Sequence, residues 1–148
     1  RVLFRSHQHR CEVLTLERTR ANAQQALVLN VKEGTSIFHS VMVHYENDLP
    51  VQIEDRCVNA EIVPEYLAQD YSQTTPHAYL SLIAPLTEGE HIVEAVRASA
   101  EECALLNIKE HDPCLLIRRK TWSASSIVSH ARLLFPGSRY RLQGRFMS

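Results

Sequence analysis

The chain contains no run of about 18 apolar residues, so none of its 148 residues belong to a stretch able to cross a membrane as a helix. It also lacks a charge excess. Sixteen Lys plus Arg stand against 17 Asp plus Glu, which leaves no bulk field to draw it onto nucleic acid or a lipid surface. Direct DNA binding by this chain is therefore not expected. No CxxC pair or tight cysteine spacing links Cys11, Cys57, Cys103 and Cys114. A chain this long and core-rich needs no disulfide staples, and reduced, buried thiols in a cytoplasmic protein are expected. The motifs G-x-S-x-G, H-E-x-x-H and the phosphate-cradling glycine loop are all missing, which argues against the catalysis those motifs support. The opening stretch "RVLFRSHQHRCEV" has no initiator Met and no apolar signal-peptide core, and reads as a chain cut from something longer.

What is present is an ordinary globular composition, 45% hydrophobic and 22% charged, expected to form a single domain over residues 1–148. Within it a pattern occurs twice. "LNVKE" begins at Leu29 and "LNIKE" at Leu106, and a shift of 77 positions carries one onto the other. The same shift sets Phe38 against Leu115, Tyr45 against Trp122 and Val51 against Val128. In each copy a run of good helix formers follows a candidate N-cap, Asn22 or Ser99. A turn comes next, then two strand-like runs joined by a short loop, "ENDLP" or "SASS".

A lone hairpin is marginal in water, so two such units are expected side by side as a four-stranded core sheet with helices on one face. The fold class is accordingly mixed α/β (α+β), with an antiparallel sheet and two pseudo-symmetric helix–hairpin repeats. Further strands are expected over 11–19, 91–98 and 139–146. Between the copies, "IVPEYLAQDYSQTTPHAYLSLI" reads as two short helices joined by a polar loop, placed as a lid over a cavity.

The stretches "LPVQIEDRCVNAEIVPEYLAQDY", "TPHAYLSLI", "HIVEAVRASAEECALLNIKEHDPCLLIRRKTW" and "FPGSRYRLQGRF" follow one another in an order that resembles the UTRA domain, the effector-binding half of the HutC subfamily of GntR-type bacterial repressors. The resemblance covers nearly the whole chain. It implies a chorismate-lyase-like fold, a small-molecule pocket, homodimerisation, no cofactor, and contact with operator DNA only through an N-terminal winged helix-turn-helix domain outside this chain. "QHRCEVLTLER", "IEDRCVN" and "PGSRYRL" most resemble members whose inducer is urocanate, a planar imidazole joined to a carboxylate by a double bond.

Sugar-phosphate-sensing members carry two Arg where this chain has Met42 and His44, which disfavours a phosphorylated ligand. The resemblance makes Glu54 a ligand-facing carboxylate, His77 a polar contact, Tyr79 an aromatic lid and Tyr140 the residue that closes the pocket. The bland reading of Glu54 is a rim salt bridge with Arg56 or a Lys. For the ligand carboxylate, the 77-position shift sets Arg119 opposite Met42 and Thr121 opposite His44, with Arg118 and Lys120 pointing away. Arg132, on the following strand, is a second candidate partner, and Arg139 and Arg141 complete the set the sequence offers. Glu94 is expected to face outward. Two rival readings remain, beside a plain dimerisation module that does not exclude a sensor. One is a small acid–base enzyme of chorismate-lyase-like fold acting on a small carboxylic acid, with Glu54, His44, His77 and Glu94 as its groups. The other is a metal site at His7, His9 and Cys11, which lacks a convincing fourth ligand.

Overall fold

The computed structural model describes residues 8–147. Strand β1 (His9–Arg20), helix α1 (Ala23–Leu29) and the hairpin β2 (Ser36–Glu46) and β3 (Leu49–Val58) form the first half. A 3-10 turn (Tyr66–Ala68) and helix α2 (Pro76–Ile83) lie in the connecting segment. Strand β4 (Glu88–Arg97), helix α3 (Ala100–Leu106), β5 (Pro113–Ser123) and β6 (Ser126–Pro136) form the second half. All strands join one six-stranded antiparallel sheet in the order β1-β2-β3-β6-β5-β4. The two hairpins make its centre, and β1 and β4 its edges.

The repeat is larger than the sequence motif shows. The 77-position shift carries α1 onto α3 and β2 onto β5 residue for residue, and it carries Arg20 at the end of β1 onto Arg97 at the end of β4. The unit is therefore strand, helix, hairpin. Its local chemistry repeats as well. Asn22 and Ser99 each close a capping box with the N3 side chain, Gln25 or Glu102. Each helix then ends on an asparagine in the left-handed region, Asn30 at φ 54° and Asn107 at φ 53°. Asparagine tolerates that conformation, and its backbone N–H satisfies orphan carbonyls of the last turn. The hairpin loops match too, with Asn47 and Ala124 both at positive φ. Replacing Ser99 by Ala leaves the N–H groups at the start of α3 without a side-chain partner. It is expected to lower stability by about 1 kcal/mol in a denaturant melt, and Ser99→Asp to leave it near wild type.

Strand alternation sorts the core into two layers. Ile37 and Cys57 pack with Ala26 and Leu29 of α1, and Val43, Ile53, Leu116 and Leu134 pack with Cys103 and Leu106 of α3. Both repeat helices thus cover one face. On the opposite face Phe38, Met42 and Val58 meet Tyr66, Tyr71, Tyr79 and Leu80 from the connecting segment. That segment covers only the first half of its face. Ser40 shares a hydrogen bond with the Tyr66 hydroxyl at 2.9 Å, and the Tyr71 hydroxyl donates to the Tyr66 carbonyl at 2.8 Å, which fastens it to the sheet.

One expected element is corrected. Residues 139–146 form no strand. After β6 the chain turns at Gly137, whose N–H donates to the Pro113 carbonyl at 2.9 Å. A Cβ at Gly137 would sit 2.9 Å from that same oxygen, so only glycine fits the turn. Arg139 then donates to the carbonyls of Pro50, Leu106 and Asn107, which draws the chain across the end of the sheet instead of along an edge. All four cysteines are free, with Cys11 half-buried and the other three buried.

Candidate functional site

On the face that the connecting segment leaves partly open is a cavity of about 310 Å³. His9, His44, Gln52, Glu54, Arg56 and Arg119 supply its polar wall. Leu133, Phe135 and Tyr140 supply the apolar wall, with Thr75 and His77 at the side of the connecting segment. The strand period of two explains the polar wall. Glu54 and Arg56 stand two apart on β3, and the register sets Met42 beside Glu54 and Ala131 beside Arg56. Phe135 and Tyr140 stack with ring centroids 3.8 Å apart, giving a flat aromatic surface. A second cleft of about 430 Å³ adjoins through His77 and Arg119, and Thr121 and His91 help to line it.

Glu54 is the electrostatic centre and is 3% exposed. One carboxylate oxygen accepts from His44 Nε2 at 2.8 Å, and the other from Arg56 Nε at 2.8 Å. Arg56, 1% exposed, also donates to Ser129 Oγ at 3.0 Å, and Ser129 shares a hydrogen bond with Thr121 Oγ1 at 3.0 Å. Burial by itself pushes the Glu54 carboxyl up. The Arg56 guanidinium and the His44 hydrogen bond outweigh it and hold the group down to about 2. A carboxyl held low stabilises the fold fully above its unfolded value near 4.5, and that contribution is lost as pH falls toward 2. Between pH 5 and 2.5, wild type is therefore expected to lose more stability than a Glu54→Leu/Arg56→Met double variant in urea melts. Equal losses would remove Glu54 as the acid-sensitive group.

Arg119 is electrostatically different. Its Nε donates to His91 Nε2 at 2.8 Å, and among the described residues no carboxylate lies within ion-pair distance. Partial burial, and then the Arg56 charge, lower its pKa, with Glu54 offsetting part of the effect. Burial followed by the Arg119 charge likewise lowers the pKa of His77 and of His91. Since Glu54 and Arg56 neutralise each other, the cavity keeps one uncompensated guanidinium among the described residues. Such a site favours an anion, and a planar carboxylate matches the guanidinium fork.

Of the residues singled out from sequence, His44, Glu54, His77, Arg119 and Tyr140 line this cavity and Thr121 the adjoining cleft. Three others lie elsewhere. Met42 is fully buried in the core cluster that holds Phe38 and Tyr66 and does not line the cavity. Tyr79 is buried in the same cluster, because α2 turns it onto the sheet. Arg132 points to the helix-covered face, where it pairs with Glu102 at 2.7 Å and lines a separate groove with His39 and Arg118. Its parity on β6 is opposite to that of Leu133, which does line the cavity. Glu94 faces outward and pairs with Arg118 at 3.0 Å. His7 lies outside the described residues, and among the described residues no cluster of three His, Cys, Asp or Glu is arranged to hold a metal. His9, Thr75, Leu133 and Phe135 were not legible as cavity residues. Strand period puts Arg56 on the face of Gln52 and Glu54, and the bland reading makes it a rim partner of Glu54, whereas its side chain is buried. The apolar neighbours on both sides of "EDR" were the available signal.

The UTRA domain pattern matches residues 5–141. The chain is 77% identical to the histidine utilization repressor of Klebsiella aerogenes over 147 residues, 99% of this chain and 61% of that protein. It is 60% identical to the histidine utilization repressor of Pseudomonas aeruginosa over 99% of its length, again covering 59% of the relative. The chain thus spans about three-fifths of the curated relatives it matches. Among solved structures, the C-terminal domain of the histidine utilization repressor from Pseudomonas syringae superposes with a TM-score of 0.91 at 57% identity, covering 95% of this chain and 100% of that one. PhnF from Mycobacterium smegmatis, at 17% identity, shares the fold with a TM-score of 0.87 over 99% of this chain and 66% of that one. With the doubled strand–helix–hairpin, the covering segment and the half-open cavity between them, these matches establish that the chain belongs to the UTRA domain family.

Proposed function

We propose that this domain is the effector-binding part of a bacterial transcriptional repressor of histidine utilisation, and that its inducer is urocanate. The observation that carries this reading is the Arg119 guanidinium, without an ion-pair partner among the described residues, on a cavity whose other described charges cancel. Urocanate is flat, bears one carboxylate and ends in an imidazole. The Phe135–Tyr140 stack suits a planar conjugated chain, and the Arg119 fork suits its carboxylate. Resemblance to repressors of the same pathway supports the choice of ligand. Operator contact belongs to a DNA-binding domain outside this chain, and homodimerisation presents two such domains to a palindromic site. A ligand that releases DNA must bind the two states of the repressor unequally.

Isothermal titration of the chain with urocanate, with histidine as comparison, tests the reading. Saturable binding of urocanate with no change in its ultraviolet spectrum supports a sensor. Absence of binding overturns the ligand assignment. Turnover of urocanate would establish the acid–base enzyme in its place.

A further inference from the structure

The cavity contains a chain of hydrogen bonds longer than ion pairing requires. Arg56 Nε donates to Glu54, His44 Nε2 lies 2.8 Å from the other Glu54 oxygen, and His9 Nε2 lies 2.9 Å from His44 Nδ1. His9 comes from edge strand β1 and stacks on His44 with ring centroids 5.2 Å apart. It lines both the main cavity and a smaller one of about 270 Å³ beside it.

The tautomers along this chain follow from its fixed end. An ionised carboxylate only accepts hydrogen bonds, so His44 carries its proton on Nε2. In a neutral imidazole the other nitrogen is then a bare acceptor. With a neutral His44 ring, Nδ1 accepts and His9 Nε2 carries the proton shared between the rings. That leaves His9 Nδ1 as an acceptor, with no partner among the described residues. Burial is the largest influence on His9 and lowers its pKa, which favours its neutral form. The groups facing His9 are His44 and Glu46 of β2, Glu54 and Arg56 of β3, His77 of α2 and Arg119 of β5.

From this geometry we infer that His9 is a specificity-determining residue, whose Nδ1 accepts a hydrogen bond from a ring N–H of the effector. The site then takes a planar heterocycle that has an N–H donor at one end and a carboxylate at the other. Glu54 does not touch that N–H directly. It fixes the direction of the chain, and His44 relays its polarity to His9. This inference rests on the effector reading above, and it assigns the ring end of the ligand to a residue that the sequence placed only in a metal cluster.

Two measurements at pH 8, where ordinary imidazoles are neutral, test it. The first is nitrogen-15 NMR of the histidine rings of the unliganded chain. Protonated Nε2 on both His9 and His44 is expected, and a proton on His9 Nδ1 overturns the inference whatever the ligand. The second compares urocanate with 3-(2-furyl)acrylate, an analogue of similar shape with no ring N–H, on wild type and on His9→Phe. Wild type is expected to prefer urocanate by about tenfold, and His9→Phe to bind both about equally. If wild type binds urocanate but His9→Phe keeps the full preference, the role of His9 fails while the effector reading stands. If wild type binds neither acid, the effector reading itself fails.

Discussion

Replacing Arg119 by Ala is expected to weaken urocanate binding by roughly a hundredfold, about 3 kcal/mol, while leaving the fold intact. The loss is large because the rest of the cavity offers the ligand carboxylate no free cation among the described residues. Arg56 is committed to Glu54 and Ser129, and the pKa of both His77 and His91 is lowered, so both favour the neutral form. Stability should change little, since Arg119 is half-buried and its one hydrogen bond goes to exposed His91 on edge strand β4. Arg119→Lys retains the charge but not the planar fork, and should recover only part of the affinity. Calorimetry together with a thermal melt of each variant separates binding from folding. An Arg119→Ala protein that melts normally and binds urocanate as wild type does would remove Arg119 from the site.

Removing Glu54 should have the opposite signature, with stability falling first. In Glu54→Ala the Arg56 guanidinium is left inside the sheet with only the Ser129 hydroxyl as partner. Breaking a buried pair in this way costs about 3–5 kcal/mol, most of it the penalty of an uncompensated charge. In a domain of this size that corresponds to a fall in melting temperature of roughly 10 °C. The double variant Glu54→Leu/Arg56→Met removes both charges and fills the space. It should be more stable than Glu54→Ala and bind urocanate about tenfold more weakly than wild type, because His44 and His9 lose the anion that orients them. A double variant as unstable as the single one would show that the pair itself, and not the stranded charge, holds the sheet together.

The two variants separate roles that share one cavity wall. Glu54 and Arg56 cancel each other and set the polarity of the hydrogen-bond chain. Arg119 carries the surplus charge. A small acid–base enzyme needs a group free to exchange protons with its substrate. Glu54, held at about 2 with both oxygens occupied, is poorly suited to that task near neutral pH.

The sequence by itself determined the duplicated unit, because local chemistry defines it. The caps at Asn22 and Ser99, the asparagines that end α1 and α3, and the hydrophobic alternation of the hairpins all act over a few residues. It also placed His44, Glu54, Arg119 and Tyr140, through strand period and family resemblance, on the side that became the cavity. Other outcomes depended on contacts between distant segments. Arg132 falls on the helix-covered face because its parity on β6 is fixed by pairing with β3 and β5. Tyr79 becomes core because α2 turns it into the cluster that holds Phe38 and Met42. His9 reaches His44 only because β1 pairs with β2, 35 positions away along the chain. The tail after β6 leaves the sheet because Gly137 and Arg139 find carbonyls on Pro113, Pro50, Leu106 and Asn107. Periodicity says which residues share a face. Only strand pairing and the packing of the connecting segment decide which face stays hollow, since those contacts join residues that no local pattern links.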